Sequence, residues 1–67
     1  MRLSYDRDTD SLYIHLTERP ATDANEVSDG VVLDFDALGA LVGIDVQHAS
    51  RVADLSRFLV ENVPAAA

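Results

Sequence analysis

The sequence predicts an α+β domain, a four-stranded antiparallel meander of two β-hairpins with one C-terminal helix. Two observations predict it. An aromatic-Asp pair followed by alternating aliphatic residues occurs twice at the same spacing: Leu3-Ser4-Tyr5-Asp6 with Leu12-Tyr13-Ile14-His15-Leu16, then Leu33-Asp34-Phe35-Asp36 with Val42-Gly43-Ile44-Asp45-Val46. After Ser50 the apolar period changes from two residues to about 3.6, which indicates a helix.

The first hairpin is expected to join strands 2–6 and 11–17. The four residues between them, 7–10, are rich in side chains that bond local backbone, as turns are. If Tyr5 lies opposite Leu12, then Leu3 lies opposite Ile14 and the apolar faces coincide.

Strands 30–36 and 41–48 form the second predicted hairpin, and Gly39 supplies a left-handed turn position. With Phe35 opposite Val42, Asp34 faces Gly43 and has Asp45 as a diagonal neighbour. The segment 18–29 between the hairpins is expected to be a surface loop, with a short edge strand near 24–27.

A helix is predicted over 52–62, where Ser50 or Asp54 can cap it and Pro64 follows it. Its apolar stripe should cover one face of the sheet. The stripe consists of Val52, Leu55, Phe58, Leu59 and Val63.

Composition limits the classes of function. The 67 residues form a single domain, residues 1–67, whose thin core favours association as a homodimer. The formal charge of −7 disfavours nucleic acid and anionic membranes, and it favours a basic protein partner. With no apolar leader or membrane-length segment, and with arginine as the sole basic residue type, a cytoplasmic bacterial protein is expected.

The motif that starts at Tyr5-Asp6 and Asp10-x-Leu12-Tyr13-Ile14 continues with Gly30-Val31-x-x-Asp34-x-Asp36, Gly39, Gly43-Ile44 and Ala49-Ser50. It resembles the small bacterial proteins classed as domain of unknown function 2283. The resemblance implies a short β-rich fold with a C-terminal helix and no established activity. Some members of that class are encoded beside toxin-like proteins, which implies an antitoxin-like role by analogy.

Catalytic chemistry finds little support, so we expect no enzyme and no cofactor. Cysteine is absent, and Ser11 and Ser50 have turn and cap explanations. Asp6, Asp8 and Asp10 resemble the start of a calcium loop, but its glycine, its final glutamate and its second helix are missing, so no metal site is assigned.

The leading hypothesis is therefore a non-catalytic protein-interaction module. Its candidate partner-binding face is the sheet side opposite the predicted helix, where apolar and acidic side chains mix. The residues of that face are Tyr13, Val32, Asp34, Leu41 and Asp45. The alternative is a small metal- or ligand-binding enzyme that uses Asp34, Asp45 and His15.

Overall fold

A computed structural model describes residues 1–64 of the chain. One antiparallel sheet of five strands, in the order β1-β2-β5-β4-β3, makes up most of it. The strands are β1 Arg2–Asp6, β2 Ser11–His15, β3 Asp23–Ser28, β4 Val31–Phe35 and β5 Leu41–Val46, and one short helix follows, α1 Ala49–Val52. β2 and β5 pair at the centre and join the two halves of the chain into a single sheet.

The first hairpin has the predicted register. Tyr5 pairs with Leu12, and Leu3 pairs with Ile14 across a four-residue turn. Ile14 in turn pairs with Ile44, which pairs with Leu33 on β4. The period-2 alternation of apolar residues therefore determined which side chains share a face.

The sheet has five strands, so the four-strand prediction was wrong by one. The added strand is β3, which occupies half of the segment 18–29 and confirms the short edge strand expected near 24–27. The sequence pattern of β3 is weak for a strand, because all six residues are exposed on an edge and few are apolar. A register shift between Glu26 and Ser28 leaves Val27 as an extra residue, and such bulges are common at sheet edges.

A second bulge changes the register of the β4–β5 hairpin. Asp34 pairs with Gly43 as predicted, but Phe35 pairs with Leu41 rather than Val42. Val42 is thus the extra residue, and it is also one of the two buried apolar residues in residues 1–64, at 3% exposure. The connecting turn closes on Asp36, whose carboxylate accepts hydrogen bonds from the backbone N–H groups of Leu38 and Ala40, both at 2.9 Å.

The helix predicted over 52–62 does not form; α1 ends at Val52 instead. Ala53 is extended, with φ −134° and ψ 148°. Asp54 accepts hydrogen bonds from the backbone N–H and hydroxyl of Ser56 and so makes a local turn there. Eleven residues at helical spacing form a marginal helix unless one face packs on the fold, and residues 53–64 are all exposed.

The two sides of the sheet differ in character. The apolar face carries two rows that run across the strands: Leu3, Ile14, Ile44 and Leu33 in one, and Tyr5, Leu12, Val46 and Val31 in the other. The polar face carries Ser4, Tyr13, Asp45, Val32 and Glu26 in one row, and Arg2, His15, Gly43, Asp34 and Ala24 in the next. Within residues 1–64, no helix is long and apolar enough to cross a membrane.

Candidate functional site

The polar face brings together most of the residues predicted to bind a partner. Tyr13, Asp45 and Val32 are consecutive in one row, and Asp34 lies in the next row. Leu41 lies at the start of β5, beyond the bulge, and pairs with Phe35. All five predicted residues are half-buried, so each presents part of its side chain to solvent.

The centre of the polar face is a tyrosine that lies across a glycine. The Tyr13 hydroxyl donates a 2.6 Å hydrogen bond to the Asp34 carboxylate, which spans β5 from β2 to β4. The ring passes directly over Gly43: a Cβ built there would lie 2.6 Å from Tyr13 Cζ and 2.8 Å from Cε1. Only glycine leaves room for this arrangement, which explains a glycine in the middle of a central strand.

This hydrogen bond controls the ionisation of the phenol. The Asp34 carboxylate accepts the hydrogen bond from the neutral phenol, and partial burial adds to its effect, so the pKa of Tyr13 is raised to about 12. Loss of the proton would place a phenolate against a carboxylate and break the bond. Tyr13 therefore acts as a neutral hydrogen-bond donor at physiological pH, without the lowered pKa that a catalytic tyrosine base would need.

His15 is held in a second polar group beside Tyr13. Its ring centroid lies 4.4 Å from that of Tyr13, with the planes tilted by 58°. Arg2 Nη2 donates to His15 Nδ1 at 3.3 Å, and because arginine has no acceptor, Nδ1 must be the unprotonated nitrogen. The remaining nitrogen, Nε2, then donates to Ser4 Oγ at 3.4 Å, while Arg2 also pairs with Glu18 at 3.0 Å.

Two of the three residues named for a metal- or ligand-binding enzyme, Asp34 and His15, already make other side-chain contacts. Asp34 accepts a hydrogen bond from the Tyr13 hydroxyl, and the Nδ1 atom of His15 accepts one from Arg2. Across residues 1–64, no group of three or more His, Cys, Asp or Glu side chains could hold a metal ion.

A cluster that the sequence reasoning missed lies at the other end of the sheet, around Asp10. Its carboxylate accepts from the Tyr5 hydroxyl at 2.7 Å, the Ser50 hydroxyl at 2.6 Å and the Ser50 backbone N–H at 3.1 Å. Its carbonyl accepts from the Ala49 backbone N–H at 2.9 Å. Asp10 therefore ties the first turn to the start of α1, forty positions later in the chain.

The Asp10 cluster also has an unusual backbone conformation and shifts the pKa values of Asp10 and Tyr5. Asp10 has φ +54°, a left-handed conformation that Asp tolerates better than most residues. The Ser50 hydroxyl, followed by the Tyr5 hydroxyl, stabilises the charged carboxylate and lowers the pKa of Asp10. The same contact raises the pKa of Tyr5. Asp10 thus serves as a structural link between the first turn and α1.

Comparison with known proteins identifies a family. Residues 2–50 match the family described as "Protein of unknown function (DUF2283)". The chain belongs to this family. No curated protein and no solved structure matches it.

The DUF2283 match spans the whole sheet and ends at Ser50, the residue that the Asp10 link reaches. Several residues that carried the resemblance have structural roles: Tyr5, Asp10 and Ser50 form the link, and Tyr13, Asp34 and Gly43 form the cross-strand contact. Because all six residues belong to the motif, the sequence offered a signal that they act together, although it did not show which of them are in contact. The segment 53–64 lies outside the matched range.

Proposed function

We propose that this DUF2283 protein is a non-catalytic interaction module that binds a basic partner protein through its polar face, in an antitoxin-like role. The observation that carries the proposal is that most carboxylates form no ion pair with arginine. Residues 1–64 contain two ion pairs, Arg2–Glu18 and Arg19–Asp36, which leaves ten of the twelve carboxylates without an arginine partner. Such a surface attracts a basic protein and steers its approach.

The composition of the polar face supports the same proposal. Tyr13 and Val32 provide apolar contact area at the centre, and Asp45 pairs directly with both of them in the strand register. Interfaces commonly place an aromatic residue at their centre and charged groups around it. Because Tyr13 is already fixed by Asp34, its ring would lose little conformational freedom on binding.

The alternative of a small metal- or ligand-binding enzyme has weaker support. Two of its three residues, Asp34 and His15, already use side-chain atoms in contacts with Tyr13 and Arg2. A catalytic acid–base pair would need those atoms free to exchange protons with a substrate.

The test is capture of a partner by the tagged chain, compared between two charge-matched variants. Asp45→Lys places a positive charge at the centre of the polar face. Asp8→Lys makes the same change of charge in the first turn, which lies outside that face. We expect the wild-type chain and Asp8→Lys to retain one basic protein, and Asp45→Lys to bind it about tenfold more weakly or worse.

Calorimetry with that purified partner then gives the affinities. Equal binding by both variants would contradict the placement of the interface on the polar face. Failure of the wild-type chain to retain any basic protein would contradict the proposed function itself.

A further inference from the structure

We infer that a second copy of this chain covers the apolar face, so that two sheets pack face to face as a symmetric dimer. The inference concerns the side of the sheet opposite the proposed partner-binding face. It therefore stands independently of the proposed function, and a dimer formed in this way leaves both polar faces free.

The first argument is the amount of exposed surface. The chain has an accessible surface of 5279 Å². A compact monomer of 7.3 kDa is expected to expose about 4,200 Å². The excess of roughly 1,100 Å² per copy is somewhat larger than the ~800 Å² that each partner buries in a standard protein interface. A dimer of ordinary interface size would thus remove most of the excess.

The second argument is the missing layer. Domains bury the apolar side of a sheet against another layer, either helices or a second sheet. Here one helical turn and an irregular segment stand where that layer belongs, and the radius of gyration is 12.9 Å. A compact chain of this length would measure about 11 Å. A second sheet, about 10 Å away, is the layer that an identical copy can supply.

The third argument is charge. The two rows of the apolar face contain eight apolar or aromatic residues and no ionised side chain. Two such sets of rows can meet with no like charges opposed within them, although Asp54 and Arg57 line the groove beside them and each copy carries a charge of −7. The polar face could not do so as readily, because Asp34, Asp45 and Glu26 would approach the same residues of a second copy.

The C-terminal segment extends the apolar face at its β1 edge. A groove of about 410 Å³ lies between this segment and strands β1 and β2, with Leu3, Ile14 and Phe58 among its lining residues. Phe58 and Val60 are 70% and 64% exposed. A second copy would cover these side chains together with the strands.

The first experiment compares two lysine substitutions on the same strand. Leu3→Lys places a charge on the apolar face, and Ser4→Lys places the same charge on the polar face one residue away. By sedimentation equilibrium we expect a dimer for the wild-type chain and for Ser4→Lys. The dimer dissociation constant of Leu3→Lys should be at least about tenfold larger, because an apolar contact is replaced by an unpaired charge. A wild-type monomer at millimolar concentration, or equal dissociation constants for the two variants, would overturn the inference.

The second experiment uses the unmodified chain, so it decides the matter even if Leu3→Lys does not fold. Nuclear Overhauser contacts between labelled and unlabelled copies report which methyl groups meet at an interface. We expect such contacts from Ile44 and Leu33. The inference is overturned by intermolecular contacts confined to Val32 and Tyr13, or by the absence of any intermolecular contact at millimolar concentration.

Discussion

Adding a methyl group at Gly43 should destabilise the fold only while Tyr13 is present. A Cβ at this position would lie 2.6 Å from Tyr13 Cζ, so Gly43→Ala must displace the ring. Displacement costs about 1–3 kcal/mol of overpacking. It also breaks the hydrogen bond to Asp34, which contributes about 1 kcal/mol at this half-buried position.

One effect opposes these costs. Replacing glycine by alanine restricts the unfolded chain and stabilises the folded state by about 0.5–1 kcal/mol where the backbone permits it. The backbone of Gly43 is not left-handed, so alanine is permitted there. The net expectation is a loss of about 2 kcal/mol in the free energy of unfolding, or roughly 10 °C in melting temperature for a domain of this size.

In a Tyr13→Ala background the ring atoms nearest to the added methyl group are gone, and Gly43→Ala should become neutral or stabilising by about 0.5 kcal/mol. Urea denaturation followed by circular dichroism, on all four combinations at one protein concentration, measures the coupling between the two sites. The reasoning is refuted if Gly43→Ala has the same effect in both backgrounds, since ring displacement would then not be its cause.

Three further outcomes follow from the geometry. Ultraviolet titration should show Tyr13 ionising near pH 12, and Asp34→Ala should return its pKa towards the ordinary value near 10, because the carboxylate that accepts the hydrogen bond of the phenol is gone. An unchanged titration would exclude the hydrogen bond as the cause. The pKa of Asp10 is lower in the folded than in the unfolded chain, so its stabilising effect is present above the unfolded value and is lost as pH falls through the folded value. Asp10→Asn should therefore show a weaker loss of stability on acidification than the wild-type chain, and parallel acid curves would contradict this. Gly39→Ala should lower the free energy of unfolding by only about 1 kcal/mol, the cost of φ +83° for an L residue, since nothing lies within 4 Å of a Cβ there. A loss above about 3 kcal/mol in chemical denaturation would contradict this.

The sequence predicted the hairpin architecture because strand alternation is a local property. Tyr5 opposite Leu12 and Asp34 opposite Gly43 followed from matching apolar faces across a turn. The Phe35 pairing was wrong because a bulge adds one residue without changing the local pattern of hydrophobicity.

The sequence predicted which residues of the candidate site share a face, but not the contacts that they make with one another. Tyr13, Val32 and Asp45 were correctly expected to share a face, since their strand positions alternate with the apolar rows. The bond between Tyr13 and Asp34 depends on β2 lying beside β5, and the sequence does not specify which hairpin edges meet.

Local periodicity alone determined that this chain forms β-hairpins with one apolar and one polar side, and its charge of −7 is the sequence feature behind the proposed basic partner. The tertiary structure decided the strand order, the link from Asp10 to Ser50 and the loss of the helix expected over 52–62. The reason is physical: alternation acts between neighbouring residues, whereas a helix of that length forms only if the fold offers its apolar stripe a surface to pack against.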